Sequence, residues 1–338
     1  MSITEEKLNL LRQIIGGVPK KIALLSHTNP DGDTIGAALA WRSYLERLGH
    51  TTCCIAPNRY PYFLEWMTDI GHIGVFKEDH DGAMARFIGE ADVIFCMDFN
   101  QINRLDRVTD TVTANTTAVR VLIDHHLHPP VDGYAVQFSD THACSTSYIV
   151  YQLLEALAGT DAIDQAESLY VGIMTDTGNF SFSSLTSDLF RAVAVLIDKG
   201  VNVPYVNSSV YNNFSEGRMR LLGYMLNDKM VTDYEFGVAY VSLTEEEMRR
   251  FDFIQGDSEG FVNYPLSIRG IRMSAMFIQT KHSIRVSLRS RGEVDVNVFA
   301  RRYFDGGGHR NAAGGKSYVP MNETLENFRK YLREYFGA

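Results

Sequence analysis

The segment at residues 26–34, SHTNPDGDT, places two carboxylates and an imidazole in one short turn. His27, Asp31 and Asp33 follow directly after the apolar run IALL. Carboxylates this close repel each other unless positive charge lies between them. One short polar residue, Asp33 or Thr34, is enough to cap the helix that TIGAALAWRSYLERLG predicts. A cap leaves the remaining groups unexplained, and their types and spacing favour ligands of a cation.

Residues of the same kind end two further apolar segments and one helical segment. Asp98 ends ADVIFCMDF, the triplet Asp124, His125 and His126 ends AVRVLIDHH, and Asp176 lies in GIMTDTGNF. Uncompensated, these carboxylates and imidazoles would cost many kcal/mol in one small volume. Two divalent cations would compensate them. Mixed oxygen and imidazole ligands suit Mn²⁺, with Mg²⁺, Co²⁺ and Zn²⁺ as alternatives.

Each of these residues also has an ordinary structural explanation. Asp98 alone is typical of a turn at a strand end, and the sequence DTG can close a helix. For Asp124, a purely structural role explains the residue almost as well as a role in the site does. A single histidine beside an aspartate is usually structural. These explanations must be applied to each strand end separately, whereas a metal centre accounts for all of them together.

The elements that carry these residues alternate between strand and helix in the first half of the chain. KIALLSH, TTCCIA, ADVIFCMDF and AVRVLIDHH are typical of strands, and helical segments separate them. Nearly unbroken apolar strands of this kind predict a parallel sheet covered on both faces. Ligands of such sheets bind at the carboxyl ends of the strands. We therefore expect the polar clusters to meet in space.

The second half has a different pattern. Helical spacing continues from about residue 144 to residue 229, and FGVAYVSLT, MSAMFIQTK and IRVSLRS then indicate a second sheet with two helices. We predict an α/β protein with an N-terminal parallel-sheet domain at 1–190, a helical linker at 191–229 and a smaller α/β domain at 230–338.

The composition restricts the class of ligand. The 338 residues carry a net charge of −9, which argues against non-specific binding to long nucleic acid. Residues 281–316 hold eight Lys and Arg against three acidic residues, a local charge of +5 that suits a small anionic ligand.

The four cysteines form neither a CxxC site nor a disulfide framework. With no signal pattern and no apolar run of about 20 residues, we expect a reduced, cytoplasmic protein without membrane contact. The formation of a homodimer is compatible with these features.

Five segments, in order, resemble a known family. SHTNPDGDTIGAALA, CMDFN, VLIDHH and GIMTDTGNF resemble the motifs of the DHH phosphoesterases, and FDGGGHRNAAGG, residues 304–315, resembles the glycine-rich motif of the DHHA1 domain. The resemblance covers nearly the whole chain. It is greatest to bacterial oligoribonucleases of the nanoRNase type, which also remove the 3'-phosphate from 3'-phosphoadenosine 5'-phosphate (pAp).

The resemblance implies a role for each polar residue. It implies two sets of metal ligands joined by one bridging carboxylate, namely His27 with Asp31, and Asp33 with His125 and Asp176, bridged by Asp98. Such a pair of ions activates water for attack on phosphorus. His126 would face the scissile phosphate as charge partner or acid, and Asp124 would orient a neighbouring histidine.

The second domain would hold the far end of the substrate. Glycines let backbone approach a phosphate or sugar closely, an imidazole can stack on a base, and an arginine can grip a phosphate with two hydrogen bonds. The expected substrate-binding residues are Arg289, Gly306, Gly307, Gly308 and His309. Taken alone, the glycines also suit a flexible turn, and Arg289 a solvated strand residue.

We therefore expect a Mn²⁺-dependent hydrolase that cleaves short oligoribonucleotides to mononucleotides and pAp to AMP. Its partners would be short single-stranded RNA or mononucleotide bisphosphates, without a stable complex with long nucleic acid. The alternatives are a cyclic or linear dinucleotide phosphodiesterase, a pyrophosphatase or exopolyphosphatase, and a nucleotide-binding regulator without catalysis. Two departures from the family pattern bear on substrate choice: LHPP follows the triplet, and Asn100 follows Asp98 closely.

Overall fold

The computed structural model describes residues 3–181 and 184–337. The chain divides into two compact units, Met1–Asn213 and Phe214–Ala338. The finer division of the sequence analysis, with a separate linker at 191–229, stays a prediction.

The first unit is built on a parallel sheet, as the alternating pattern predicts. Its strands are β1 (Lys21–Leu25), β2 (Thr51–Ala56), β3 (Ile73–Val75), β4 (Val93–Met97), β5 (Val119–Asp124) and β6 (Val136–Ser139). Its helices are α1 (Glu5–Ile15), α2 (Gly32–Arg47), α3 (Ala83–Gly89), α4 (Val108–Ala114), α5 (Thr146–Ala158), α6 (Ala166–Asp176), α7 (Ser187–Asp198) and α8 (Val203–Tyr211). The strand order is β3-β2-β1-β4-β5-β6, with every pair parallel.

Helices cover both faces of this sheet. Alternate residues of β1 enter different cores: Leu24 packs with α1, α2, α5 and α6, whereas Leu25 packs with α3 and α4. Helices α2 and α6 approach closely because Gly36 has no side chain, and a Cβ there would lie 2.2 Å from the carbonyl oxygen of Ser168. The prediction of a sheet buried on both sides is confirmed.

The strand order creates one topological switch point in this sheet. From β1 the chain adds β2 and β3 on one side, and then crosses to add β4, β5 and β6 on the other. A crevice forms at the carboxyl ends of the strands where the order reverses. His27 follows β1 and Asp98 follows β4, so both residues lie at this point.

The second unit has a mixed sheet. Its strands are β7 (Val231–Asp233), β8 (Val238–Leu243), β9 (Met273–Gln279), β10 (Ile284–Ser290), β11 (Gly307–His309) and β12 (Ala312–Ser317). Its helices are α9 (Glu216–Tyr224), continued by a π-helical turn (Met225–Lys229), then α10 (Glu245–Arg249), α11 (Val296–Tyr303) and α12 (Met321–Phe336). The order is β11-β12-β10-β9-β8-β7, in which only β8 and β9 pair in parallel.

Two further expectations concern the cysteines and the membrane. Cys53 and Cys54 lie in β2 and Cys96 in β4, and all four cysteines are free thiols. Across residues 3–181 and 184–337, every helix is too short or too polar to cross a lipid bilayer.

Candidate metal centre

Asp98 lies at the centre of the polar residues that meet at the switch point. Its side chain is 2% exposed and lies between two imidazoles. Its Oδ2 is 3.4 Å from Nε2 of His27, and its Oδ1 is 3.4 Å from Nε2 of His125. The Asp98 amide donates to the carbonyl of Ile123 at 2.9 Å, which pins the residue to the end of β5.

Backbone carbonyls orient these two imidazoles. Nδ1 of His27 lies 2.9 Å from the carbonyl oxygen of Thr28, and Nδ1 of His125 lies 3.3 Å from that of Ala143. A carbonyl only accepts, so each Nδ1 carries the proton and donates it. Nε2 of each ring is therefore directed towards the carboxylates, as in histidines that bind metals.

Asp33 is held by the first turn of α5. Its carboxylate is 1% exposed and accepts the backbone amides of Thr146 at 2.6 Å and Ser147 at 2.8 Å. The hydroxyl of Thr146 donates to Oδ1 of Asp98 at 2.9 Å. The N-terminus of α5 thus orients two carboxylates, because its amides are not used within the helix.

The remaining two aspartates come from helix ends. Asp31, not Asp33 or Thr34, is the N-cap of α2, and its Oδ1 accepts the amides of those two residues. Asp176 is the last residue of α6, and its Oδ2 lies 3.4 Å from Nε2 of His125. One residue can both cap a helix and offer its second oxygen as a ligand.

The ionisation of these groups shows how strongly the site favours positive charge. Burial, and then the charges of Asp98 and Asp176, raise the pKa of Asp33 well above its usual range. Burial alone would lower the pKa of His125, but Asp176 and Asp98 raise it well above its usual range. Burial alone would raise the pKa of Asp98, yet hydrogen bonds to the imidazoles hold it well below. The carboxylates repel one another, and each is stabilised in its ionised form only by a neighbouring positive charge.

The donor set fits two divalent cations. His27, Asp31 and Asp98 form one group whose ligand atoms lie within 4.8 Å of one another, and Asp33, Asp98 and His125 form a second. Both groups contain Asp98, which has two oxygens and is the predicted bridge. A third group, Asp98 with Asp124 and His126, meets the same distance limit. Hard carboxylate oxygens with imidazole nitrogen suit Mn²⁺ and related ions.

His126 has different surroundings from the other two imidazoles. Its Nδ1 is 2.7 Å from Oδ1 of Asp124, and Nη1 of Arg104 is 2.9 Å from its Nε2. Asp124 is fully buried, and its Oδ2 has no hydrogen-bond partner within the described part of the chain. The predicted role of Asp124 in orienting a histidine matches this contact with His126, whereas Arg104 was not anticipated.

The sequence analysis missed two residues of this site. Arg104 stands six residues after Asp98, and a lone arginine just beyond a strand-end cluster is the signal that could have found it. Thr146 lies in CSTSYIVYQ, where hydroxyl residues before an apolar helix mark an N-terminus but give no indication of what that terminus faces.

The two departures from the family pattern contact each other. Nδ2 of Asn100 donates to the carbonyl of Leu127 at 2.5 Å and reaches that of His128 at 3.4 Å. His128 has a φ of 61°. Asn100 therefore ties the loop after β4 to the LHPP segment after β5, so the two departures form one local structure.

The predicted substrate residues of the second unit lie on neighbouring strands. Arg289 is half-buried on β10, opposite Ala312 of β12, and its Nη1 lies 2.9 Å from the carbonyl of Leu288. His309 is half-buried on β11 and also pairs with Ala312. The register of both strands on β12 thus places Arg289 and His309 on the same part of the sheet.

The glycines have a packing role of their own. A Cβ at Gly306 would lie 2.0 Å from the carbonyl of Gly314, and one at Gly308, where φ is 145°, would lie 2.5 Å from that of Ala312. At Gly307 the nearest side-chain atoms would be 3.6 Å away. The segment forms a strand rather than a flexible turn, and two of its glycines are required by β12.

Comparison with known proteins accords with this arrangement. Residues 21–173 match the DHH family, N-terminal domain, and residues 234–338 match the DHHA1 domain. The chain belongs to the DHH family. As a member it is a phosphoesterase, and enzymes of this family use divalent metal ions.

Three relatives extend over nearly the full chain. The bifunctional oligoribonuclease and PAP phosphatase NrnA of Thermus thermophilus is 26% identical over 97% of this chain and 94% of its own length. The protein of that name from Bacillus subtilis is 28% identical over 92% and 93%. The solved structure of an exopolyphosphatase-related protein from Bacteroides fragilis is 36% identical, covers 98% of this chain and 97% of its own, and superposes with a TM-score of 0.92.

Proposed function

We propose that this protein is a Mn²⁺-dependent phosphoesterase that hydrolyses short oligoribonucleotides to mononucleotides and pAp to AMP. The observation that carries the proposal is the pair of ligand groups that share Asp98. The two NrnA relatives support the substrate class, since their names give both activities.

The metal ligands we propose are the six residues of the sequence analysis. They are His27, Asp31, Asp33, Asp98, His125 and Asp176. When bound, two divalent ions would lower the pKa of water and offset the negative charge that develops on the phosphoryl oxygens.

The protein contributes orientation and proton control. The Thr28 and Ala143 carbonyls keep Nε2 of His27 and His125 directed at the carboxylates, and α5 holds Asp33. Burial of these groups excludes bulk water, which strengthens each electrostatic contact.

His126 and Asp124 act next to the reacting phosphate in this proposal. The contact with Asp124 places the ring proton of His126 on Nδ1, because a carboxylate accepts. Nε2 then serves as an acceptor for Arg104. His126 can act as an acid only if that contact is broken, so we favour a positioning role for it.

The second unit supplies the nucleotide-binding residues in this proposal. Arg289 would bind a phosphate, and His309 would stack on a base or bind a phosphate. Gly306, Gly307 and Gly308 would form the backbone surface beside them, and the absence of side chains there would let a ligand approach the backbone closely. The local charge of +5 supports an anionic ligand.

One assay tests the proposal against its rivals. Purified protein with Mn²⁺ is given pAp, a dinucleotide, a cyclic dinucleotide, pyrophosphate and polyphosphate, and EDTA serves as the control. We expect turnover of pAp and the dinucleotide, and none with EDTA. Turnover of polyphosphate alone would favour the activity in the name of the Bacteroides fragilis relative. Nucleotide binding without turnover of any compound would indicate a regulator.

A further inference from the structure

Arg104 is a cation placed at the rim of an acidic cluster. It lies in the 3-10 turn Ile102–Leu105 that follows β4, and its side chain is half-buried. Its carbonyl accepts the amide of Thr28 at 2.8 Å, so the turn is attached to the segment that carries His27 and Asp31. The position of Arg104 is therefore coupled to that of the metal ligands.

The side chain of Arg104 has an unusual partner. Its Nη1 donates to Nε2 of His126 at 2.9 Å, and within the described residues it forms no ion pair with any of the neighbouring carboxylates. A guanidinium has five N–H donors and no acceptor, and the contact with the imidazole uses one of them. Arg104 thus keeps N–H donors that can bind an anion.

Two hydrogen bonds in series hold this arrangement. Asp124 accepts from Nδ1 of His126 at 2.7 Å, which leaves Nε2 as the acceptor that positions Arg104. Asp124 is fully buried and His126 largely so, and the chain of contacts is correspondingly rigid.

We propose that Arg104 binds the phosphoryl group that is cleaved, and that Asp124 and His126 are the positioning residues that hold its guanidinium. Two parallel N–H groups match two phosphate oxygens. Four of the neighbouring carboxylates are proposed metal ligands, so the guanidinium would add its positive charge to that of the bound ions. The inference rests on the proposed function, because it assumes that the ligand is a phosphoester.

Measurements of phosphate affinity and Mn²⁺ affinity distinguish a phosphate-binding role of Arg104 from a structural one. The variants are Arg104→Gln, which removes the charge, and Arg104→Lys, which keeps the charge but lacks the two parallel N–H groups. Arg107→Gln is the matched control, since Arg107 is an exposed arginine three residues along the chain. Calorimetry gives the affinity of each protein for Mn²⁺ and then, with Mn²⁺ bound, for inorganic phosphate.

We expect Arg104→Gln to weaken phosphate binding about 10-fold or more, a typical loss for a charge-assisted pair, and to keep Mn²⁺ affinity. Arg104→Lys should lie between this variant and the wild type, and Arg107→Gln should equal the wild type. Loss of Mn²⁺ binding in both Arg104 variants, or unchanged phosphate binding in either, would overturn the proposal.

A double-mutant cycle tests the positioning pair. If His126 acts through Arg104, His126→Ala should weaken phosphate binding, and the variant with both substitutions should bind no more weakly than Arg104→Gln alone. Additive losses would show that His126 acts independently. If the wild type hydrolyses no phosphoester, the proposed function fails, while the phosphate affinities still decide the role of Arg104.

Discussion

Asp98 holds a left-handed backbone conformation, with a φ of 65°, directly after β4. Residues with a Cβ disfavour this region, although aspartate tolerates it better than most. Its amide is bonded to Ile123, so the backbone cannot relax without losing that contact. The backbone of Asp98 is thus strained at the position from which its carboxylate contacts both His27 and His125.

The first prediction compares two substitutions of this residue. Asp98→Ala and Asp98→Gly both remove the shared carboxylate, so we expect both to abolish turnover and to lower metal content. Only glycine relieves the backbone, and the Gly variant should therefore be more stable than the Ala variant by about 1 kcal/mol. Urea unfolding in EDTA and metal analysis measure these effects. Turnover in the Ala variant with two metals bound would refute the bridging role, and equal stabilities would refute the strain.

At the scale of elements, helix ends determine which atoms face the site. Helix α5 begins at Thr146 with Ser145 as its N-cap, and its first amides bind Asp33 of α2. Helix α6 must pass close to this contact, because a Cβ at Gly172 would lie 1.9 Å from the hydroxyl oxygen of Ser147. Three helices therefore need to be placed accurately before the carboxylates are oriented.

The second prediction concerns the hydroxyl of Thr146. Thr146→Val keeps the shape and the backbone amide but removes the donor to Asp98. We expect Mn²⁺ affinity to fall about 10-fold or more, a usual effect of losing a group that orients a ligand. Thr146→Ser keeps the hydroxyl and should bind Mn²⁺ as the wild type does. Calorimetric titration decides, and equal affinities of the Val variant and the wild type would show that the hydroxyl is dispensable.

A half-buried carboxylate links two elements of the second unit. Glu247 of α10 accepts from Lys229 at 2.5 Å, Tyr224 at 2.8 Å and the amide of Thr244 at 2.8 Å. Burial alone would raise the pKa of Glu247, but the contacts with Lys229 and Thr244 lower it to about 2. A depressed pKa stabilises the fold above the usual glutamate pKa of about 4.3. That contribution is lost as the pH falls through the folded value.

The third prediction follows from the lowered pKa of Glu247. Glu247→Gln should lower the free energy of unfolding of the second unit by about 2 kcal/mol at neutral pH. The difference from wild type should shrink as the pH falls from about 5 towards 2, because the wild type loses its ionised carboxylate there. Glu246→Gln, at an exposed neighbour, is the matched control. Denaturation at several pH values measures the effect, and a pH-independent difference would contradict it.

At the scale of the whole molecule, charge is distributed unevenly between the two halves of the chain. The net charge is −9, yet residues 281–316 in the second unit carry +5. Affinity for a long strand grows with the number of phosphates that are neutralised. The rest of the chain therefore carries a net charge of −14 (−9 less +5), which opposes binding of further phosphates of a long strand.

The fourth prediction concerns substrate length. RNAs of two to five nucleotides should turn over faster than a single strand of about 24, because only a few phosphates can be neutralised. Arg289→Ala should raise KM for dinucleotides and keep the metals bound, since it removes a substrate contact in the second unit. Rates measured under one salt concentration test both statements. Equal or faster cleavage of the long strand would favour a processive exonuclease.

The sequence by itself determined the fold class of the first unit, the order of its main elements and the family to which the chain belongs. Strands β1, β2, β4 and β5 follow from unbroken apolar runs, because a strand buried on both faces has no polar side to present. The polar clusters at their ends follow from the rule that crevices open at the carboxyl ends of parallel strands. Residues such as Asp98 and His125 could therefore be proposed as metal ligands without coordinates, and the structure brings their side chains within 3.4 Å.

Only the tertiary structure decided how these residues are held. Thr146 and Arg104 act through contacts that join segments 48 and 22 residues apart in the chain. Such contacts depend on helix placement, which local patterns do not specify. Strands β11 and β12 were missed for a related reason: their glycines are required by close backbone packing, which has no apolar period. The sequence thus specifies which groups are present, and the packing of helices against the sheet specifies which atoms meet.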